Sequence, residues 1–305
     1  MKKPTVTIGI PAYRESINLN RLLPALLSQN QKLFSLKEII VVSDGKDQAT
    51  REVVKRLGSP IIKLLENKTR LGQQLSQNRI IKEFKGDVLV IIEADTHPSS
   101  PDTLNLLLVP YTQKNLELGM VVGKSVSLPA KTFFEKVMNH AQLIKQGIFS
   151  EWKDGLNFFT ANGHSMKALS RNFAKKIKWP TDVPEDTYTY LRLRELGLGM
   201  KRVKTAQALM RNVTNFNDRI RQCTKYHTGK KALTKYFPPE TMAVETQIPL
   251  EIILKHTLSK LVTNPFWTLI YLIEAVINRI FTSWQSGFNP LYEIYYSSKI
   301  LDINN

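Results

Sequence analysis

The chain of 305 residues is 42% hydrophobic, enough for one large domain or one domain with an appendage, and its formal net charge of +17 at pH 7 asks for an anionic partner: nucleic acid, a phosphorylated substrate or an acidic membrane surface. A single cysteine, Cys223, excludes an internal disulfide framework and is compatible with a reducing compartment. The opening MKKPTVTIGIPAY has two lysines but only a short apolar run broken by Pro11, so no secretory signal is expected.

In chain order, TVTIGIPAY reads as a strand, SINLNRLLPALLSQN as an amphipathic helix capped by Ser16 or Asn18, and KEIIVVSDG as a second strand ending in a turn. DQATREVVKRLG follows as a helix, PIIKLLEN as a strand, GQQLSQNRIIKEFKG as a helix closed by Gly86, and DVLVIIEAD as the fourth strand. This alternation predicts βαβ units and a parallel sheet with right-handed crossovers. Residues Val88–Ile92 are apolar without alternation, as in a central strand covered by helices on both faces. Side chains alternate along a strand, so Glu93 and Asp95 would leave it on one side, past its C-terminal end, where open α/β sheets bind ligands. Two carboxylates held together there repel unless a cation lies between them, and Mg²⁺ or Mn²⁺ bound through one or two carboxylates plus substrate phosphates suits such a pair. The plainer alternative is a solvated strand end before a helix capped by Thr96 or Ser100.

The middle is less regular. TFFEKVMNHAQLIKQGIFSEW has apolar positions at helical spacing, and DTYTYLRLRELG reads as a helix ended by Gly197. Residues 201–235 carry ten Lys or Arg against one acid, Asp218, with few aromatics and no helix-turn-helix, zinc-finger or RNA-recognition signature, so a nucleic-acid reading lacks its usual second feature. The final third is rich in Ile, Leu, Phe and Trp. Residues Leu261 to Trp284 are long enough to cross a bilayer but are interrupted by Glu274, Asn278 and Arg279; the segment could span, lie in the interface or pack on the preceding domain. Lys255, Lys260, Trp267 and Trp284 favour headgroup contact.

Four stretches stand in one order: TIGIPAYRESINLNRLLPALLSQ, EIIVVSDGKDQAT, NKTRLGQQLSQNRIIKEFKGDVLVIIEAD, and TANGHSMKAL before VPEDTYTYLRLRELG. Together they resemble the family 2 nucleotide-sugar glycosyltransferases of the GT-A fold. The resemblance implies an α/β fold with a mostly parallel sheet and helices on both faces, a catalytic domain over residues 1–235, and a C-terminal helical, membrane-associating region over 236–305. It places Pro11, Tyr13 and Glu15 at the nucleotide base and ribose, with Tyr13 as a stacking face. Asp44 matches the family's base-contacting aspartate, accepting from a uracil imide N–H. Arg70 stands where a cation could meet the nucleotide, with Gly72 allowing close backbone approach. The sequence EAD replaces an Asp-x-Asp metal motif, so Asp95 would bind Mn²⁺ or Mg²⁺ bridging the diphosphate, with the longer Glu93 beside it. Glu185-Asp186 matches the Glu-Asp motif whose aspartate takes the proton from the acceptor hydroxyl; the alternative is a pair of acids complementing a helix dipole. QCTKY resembles Gln-x-x-Arg-Trp of membrane-bound members, so Gln222, Lys225 and Tyr226, with Asn162 and Gly163, would lie near acceptor and diphosphate.

The resemblance therefore implies an inverting glycosyltransferase moving sugar from a UDP- or GDP-sugar to a lipid-linked or glycan acceptor on an anionic membrane surface, at the cytoplasmic face, without nucleic acid as partner. Three alternatives stay open. A sugar-phosphate nucleotidyltransferase would want a Gly-rich loop after the first strand, where IPAYRESIN has no glycine. A non-catalytic binding module would treat the altered motifs as relics. A nucleic-acid-binding protein would bind in a salt-dependent manner.

Overall fold

A computed structural model describes residues 3–113, 117–162, 166–285, 287–291, 296–299 and 301. Strand β1 (Thr5–Ala12), helix α1 (Ser16–Leu27), β2 (Ser35–Ser43), α2 (Gln48–Leu57), β3 (Ile62–Glu66), α3 (Gln73–Glu83) and β4 (Val88–Ile92) realise the expected alternation. The sheet runs β3-β2-β1-β4, and the β2/β3, β1/β2 and β1/β4 pairs are all parallel. Chain order reverses direction between β1 and β4, which makes the C-terminal ends of these two strands the crevice where such sheets take ligands. Every residue of β4 is buried, as its unalternating sequence requires.

The sheet continues through segments without clear sequence signals. After β5 (His97–Pro98) and α4 (Thr103–Leu108) come β6 (Leu118–Ser127), α5 (Phe133–Glu151), α6 (Phe158–Asn162), β7 (Met166–Ser170), α7 (Arg171–Ala174), α8 (Glu185–Glu195) and β8 (Gly199–Met210). Strand β7 lies antiparallel between β4 and β6, β8 runs parallel to β6, and β5 closes the edge antiparallel to β8. The result is an eight-stranded, mostly parallel sheet with an antiparallel insertion. The basic stretch 201–235 is divided: Lys201, Arg202 and Lys204 lie on β8, and the cations from Arg219 to Lys231 lie on α9 (Phe216–Leu233).

Two core clusters cover the two faces of the sheet. One joins Ile8, Ile10 and Val90 to Leu19, Leu22 and Leu23 of α1; the other joins Ile40, Leu89 and Ile91 to Ile80 of α3 and to Trp179, Tyr190 and Leu191. Three terminal helices follow: α10 (Pro239–Thr246), α11 (Leu250–Thr263) and α12 (Pro265–Ser283). Ala232, Leu233, Phe237 and Met242 belong to the second core cluster, while α11 and α12 pack on α5 and on each other.

Three expectations are corrected here. The apolar run from Leu261 is broken at Asn264–Pro265, where proline cannot continue α11 and instead opens α12, and no helix among the described residues is long and apolar enough to cross a membrane. Helix α1 is entered through Glu15, without a side-chain cap from Ser16 or Asn18. Helix α4 follows Asp102 rather than Thr96 or Ser100.

Candidate active site

The ends of β1, β2 and β4, the start of α8, and faces of α5, α9 and α12 enclose a cavity of about 770 Å³. Pro11, Tyr13, Glu15, Asp44, Arg70, Glu93, Asp95, Glu185, Asp186, Gln222, Lys225 and Tyr226 all line it. Residues as far apart in sequence as Pro11 and Tyr226 are thus brought to one chamber. Gly163 lies outside the described residues, as does the side chain of Asn162.

At the end of β2, Asp44 is buried and its carboxylate holds the loop before α3. Its Oδ1 accepts from Asn67 Nδ2 at 2.9 Å and from the Leu71 N–H at 2.7 Å, and its Oδ2 accepts from the Gly72 N–H at 2.8 Å. Gly72 adopts φ +96°, a region that costs other residues strain, and a Cβ there would stand 3.2 Å from the Pro290 carbonyl oxygen. The Arg70 guanidinium from the same loop covers the Tyr13 ring at 4.4 Å, with Arg14 at 5.4 Å. The aromatic face expected to meet a base is therefore stacked by cations, a cation–π arrangement that also fixes the loop.

The carboxylates at the ends of β1 and β4 converge on one atom. The ammonium of Lys299 lies 2.6 Å from Glu15 Oε1 and 2.7 Å from Asp95 Oδ2, while Glu15 Oε2 accepts from Asn18 Nδ2 at 2.7 Å. Burial raises the Glu15 carboxyl above the ordinary range, against the pull of Lys299. Burial opposes the charge of Lys299, but Asp95 and Glu15 outweigh it and hold the ammonium above its usual value. Glu93, half-buried beside them, is pushed up to about 8, by burial first and then by the charges of Asp95 and Asp186. Ala94, between them, points into the core as strand alternation requires.

This pair tests the fit of a divalent cation. Two carboxylates already meet at a position that holds positive charge, and oxygen is the donor type that Mg²⁺ and Mn²⁺ take. No group of three or more His, Cys, Asp or Glu that could hold a metal occurs among the described residues. The chain supplies one or two ligands, as expected for an ion that completes its shell with substrate phosphate oxygens and water.

On α8, Glu185 and Asp186 occupy the first turn, where acids complement the helix dipole. Their surroundings exceed that role. Glu185 is buried, its Oε2 without a hydrogen-bond partner among the described residues, and burial raises its carboxyl while Lys225 pulls it back. Asp186 Oδ1 pairs with the ammonium of Lys167, a buried lysine on β7, and Oδ2 makes no hydrogen bond among the described residues. Sequence reasoning missed Lys167 because its partner lies across the sheet. Its one signal is a lysine inside the otherwise apolar strand MKALS.

Away from the carboxylates the chamber is cationic. Arg211 pairs with Glu135, and Arg219 pairs with Glu274 while donating to Gln222 Oε1 at 2.9 Å. Lys145, Lys230 and Arg279 line the same chamber and form no ion pair with a carboxylate among the described residues. Burial lowers Lys145 to about 8. Phe149, Phe158 and Phe159 supply an apolar wall.

The glycosyl transferase family 2 model matches residues 7–176, a span carrying β1 to β4, both carboxylates of EAD and Lys167. Among curated proteins, the chain is 28% identical over 131 residues to a dolichol-phosphate mannosyltransferase of Mycosarcoma maydis, covering 41% of this chain and 45% of that one. It is 27% identical over 97 residues to the glycosyltransferase AglE of Haloferax volcanii, covering 31% of this chain and 32% of that one. The matched stretches thus span less than half of these relatives. Among solved structures, the mannosyltransferase PcManGT of Pyrobaculum calidifontis, in complex with GDP-Man and Mn²⁺, superposes with a TM-score of 0.59 at 18% identity over 93% of this chain and 84% of that one. Glucosyl-3-phosphoglycerate synthase of Mycobacterium tuberculosis, with Mn²⁺, UDP and phosphoglyceric acid, gives 0.52 at 15% identity over 81% of this chain and 80% of that one. These structures share the GT-A fold, and with more than half of its length matched by the family model the chain belongs to glycosyl transferase family 2.

Proposed function

We propose that the chain transfers a sugar, with inversion at the anomeric carbon, from a UDP- or GDP-sugar to a lipid-linked acceptor at the cytoplasmic face of a membrane. The observation that carries this reading is the placement of two separate carboxylate systems in one cavity: Glu15 and Asp95 around a cation position, and Asp186 with an open Oδ2. Asp95, assisted by Glu15, would hold Mn²⁺ or Mg²⁺ against the donor diphosphate. Held there, the ion would supply positive charge to offset that of the departing nucleoside diphosphate. The loop held by Asp44, with Arg70 and Gly72, forms the nucleotide wall.

Asp186 Oδ2 takes the proton of the acceptor hydroxyl as that oxygen bonds to the anomeric carbon and the donor's carbon–oxygen bond breaks; a single displacement of this kind gives inversion. Lys167 orients Asp186 through Oδ1. Lys225, whose charge acts on Glu93 and Glu185, limits repulsion among the acids. The cations Lys145, Lys230 and Arg279 favour an acceptor with an anionic headgroup. An apolar tail fits the adjoining helices, where Leu254, Leu258, Phe266, Ile273, Ile280 and Trp284 are exposed beside Lys255, Lys260 and Arg279.

The test is a panel of nucleotide-sugars scored for nucleoside diphosphate release, with and without membrane lipid extract and with and without chelator. Release that needs one donor, the lipid fraction and a divalent ion is expected. Release indifferent to lipid would remove the acceptor assignment, and no release from any donor would remove the reading.

A further inference from the structure

Lys299 is 204 positions from Asp95 in sequence, yet its ammonium fills the point where Asp95 and Glu15 converge. This placement is anchored on both sides. Before it, the Ser297 N–H donates to Asp218 Oδ2 at 3.1 Å, and Ser297 Oγ accepts from the Thr214 N–H at 3.1 Å, tying the segment to the start of α9. After it, the Lys299 carbonyl accepts from Asn18 Nδ2, the Leu301 carbonyl accepts from Arg21, and the Leu301 side chain is 2% exposed, tying the segment to α1. Pro290, Ser298 and Lys299 line the cavity on its nucleotide side.

We propose that residues 296–299 and 301 act as a strap across the donor mouth whose Lys299 ammonium stands in for the divalent cation, so that strap docking and metal–donor loading exclude each other. The inference rests on the donor site assigned above and adds its regulation. Its physical basis is the repulsion between buried Glu15 and partly buried Asp95, which a cation between them relieves. With no metal, Lys299 is that cation and the strap is held down. Glu15 and Asp95 would hold a divalent ion that enters with a diphosphate more firmly than they hold the ammonium, since phosphate oxygens would add to its donors, and the strap would then be released to open the mouth.

The test measures Mn²⁺ alone by electron paramagnetic resonance in wild type, Lys299→Ala and Leu301→Ala, together with hydrogen exchange of the strap amides in wild type. Leu301→Ala loosens the far anchor without changing any charge at the site, so it separates a gate from a local charge effect. A closed strap reduces apparent affinity by the fraction of open protein, so Mn²⁺ should bind about tenfold more tightly to Lys299→Ala and about threefold more tightly to Leu301→Ala. Adding Mn²⁺ with a nucleoside diphosphate to wild type should speed exchange at the Ser297 amide by about tenfold, in the same proportion as the open fraction rises. Tighter binding in Lys299→Ala with none in Leu301→Ala would reduce Lys299 to a local charge and overturn the gate alone. Mn²⁺ binding by none of the three proteins would overturn both the metal assignment and the gate. Unchanged Ser297 exchange in the presence of bound Mn²⁺ and nucleotide would overturn the gate as well.

Discussion

Replacing Asp44 with asparagine separates two roles for this residue, reading the base and holding the loop. In the structure its two oxygens take three hydrogen bonds from Asn67, Leu71 and Gly72. Asparagine keeps the shape but has one acceptor oxygen. If that oxygen stays on Asn67 and Leu71, the amide nitrogen meets the buried Gly72 N–H donor to donor. The lost charge-assisted bond costs about 1.5–3 kcal/mol, the other two weaken from charge-assisted to neutral, and water entering at the loop edge returns a part; the net is about 2–4 kcal/mol. At the few degrees per kcal/mol typical of larger domains, the melting temperature should fall by roughly 4–10 °C. Donor affinity should fall with it, because Arg70 and Gly72 ride on the same loop. Thermal unfolding and donor calorimetry on Asp44→Asn measure both. A variant of wild-type stability that loses donor binding would show that Asp44 reads the base and that its loop contacts contribute little.

Other perturbations have equally definite outcomes. Lys145→Met should raise the melting temperature at pH 7: desolvation of this half-buried lysine lowers the folded-state value to about 8 from 10.5, so below pH 8 the chain bears the cost of a partly desolvated ammonium. Between these two values the unfolded chain binds more protons, wild-type stability rises with pH, and the advantage of the variant should shrink; a constant advantage from pH 6 to 10 would refute the desolvated charge. Ile273→Asp with Leu258→Asp, both exposed in the structure, should abolish flotation with anionic liposomes at low salt while leaving the melting temperature within about 1 kcal/mol equivalent, since exposed positions contribute little to folding. Wild type that stays with the soluble fraction would end the membrane reading. Asp95→Ala should remove the dependence of nucleotide binding on Mn²⁺, and equal, tight binding with and without chelator would contradict the metal assignment.

The parallel half of the fold was legible because its signals are local. Val88–Ile92 has no polar residue to permit a solvated face, and the polar ends of β2 and β4 stand out against their apolar interiors. Strands β6 to β8 were not read, since LGMVVGKSVS and GMKRVKTAQALM mix lysine and glycine into their runs and take their stability from neighbours rather than from propensity. The break at Pro265 was a readable signal that the hydropathy of the run from Leu261 concealed. In the site, Glu93 and Asp95 stood out by their position at a strand end, whereas Asp44, Glu185 and Asp186 were singled out by resemblance to the family's motifs. The partners of these acids were not legible: Lys167 and Lys299 meet Asp186 and Asp95 only through tertiary contacts, and the covering of Tyr13 by Arg70 depends on a loop conformation that no motif encodes.

The division of labour between Asp186 and the Glu15–Asp95 pair is the centre of this account, and Asp186→Asn tests it most directly. The substitution keeps the side-chain shape, lets the amide oxygen accept from Lys167, and removes the basic Oδ2. Turnover and donor dissociation constant are measured side by side with the donor and lipid fraction identified by the panel. Transfer should fall by roughly 10²-fold to 10⁴-fold, the usual worth of a positioned general base. Donor affinity should change by about 1 kcal/mol or less, because binding and proton abstraction are separate contributions. Transfer at a near wild-type rate would contradict the account and leave Asp186 as a first-turn acid on α8, and loss of donor binding would move it into the nucleotide site.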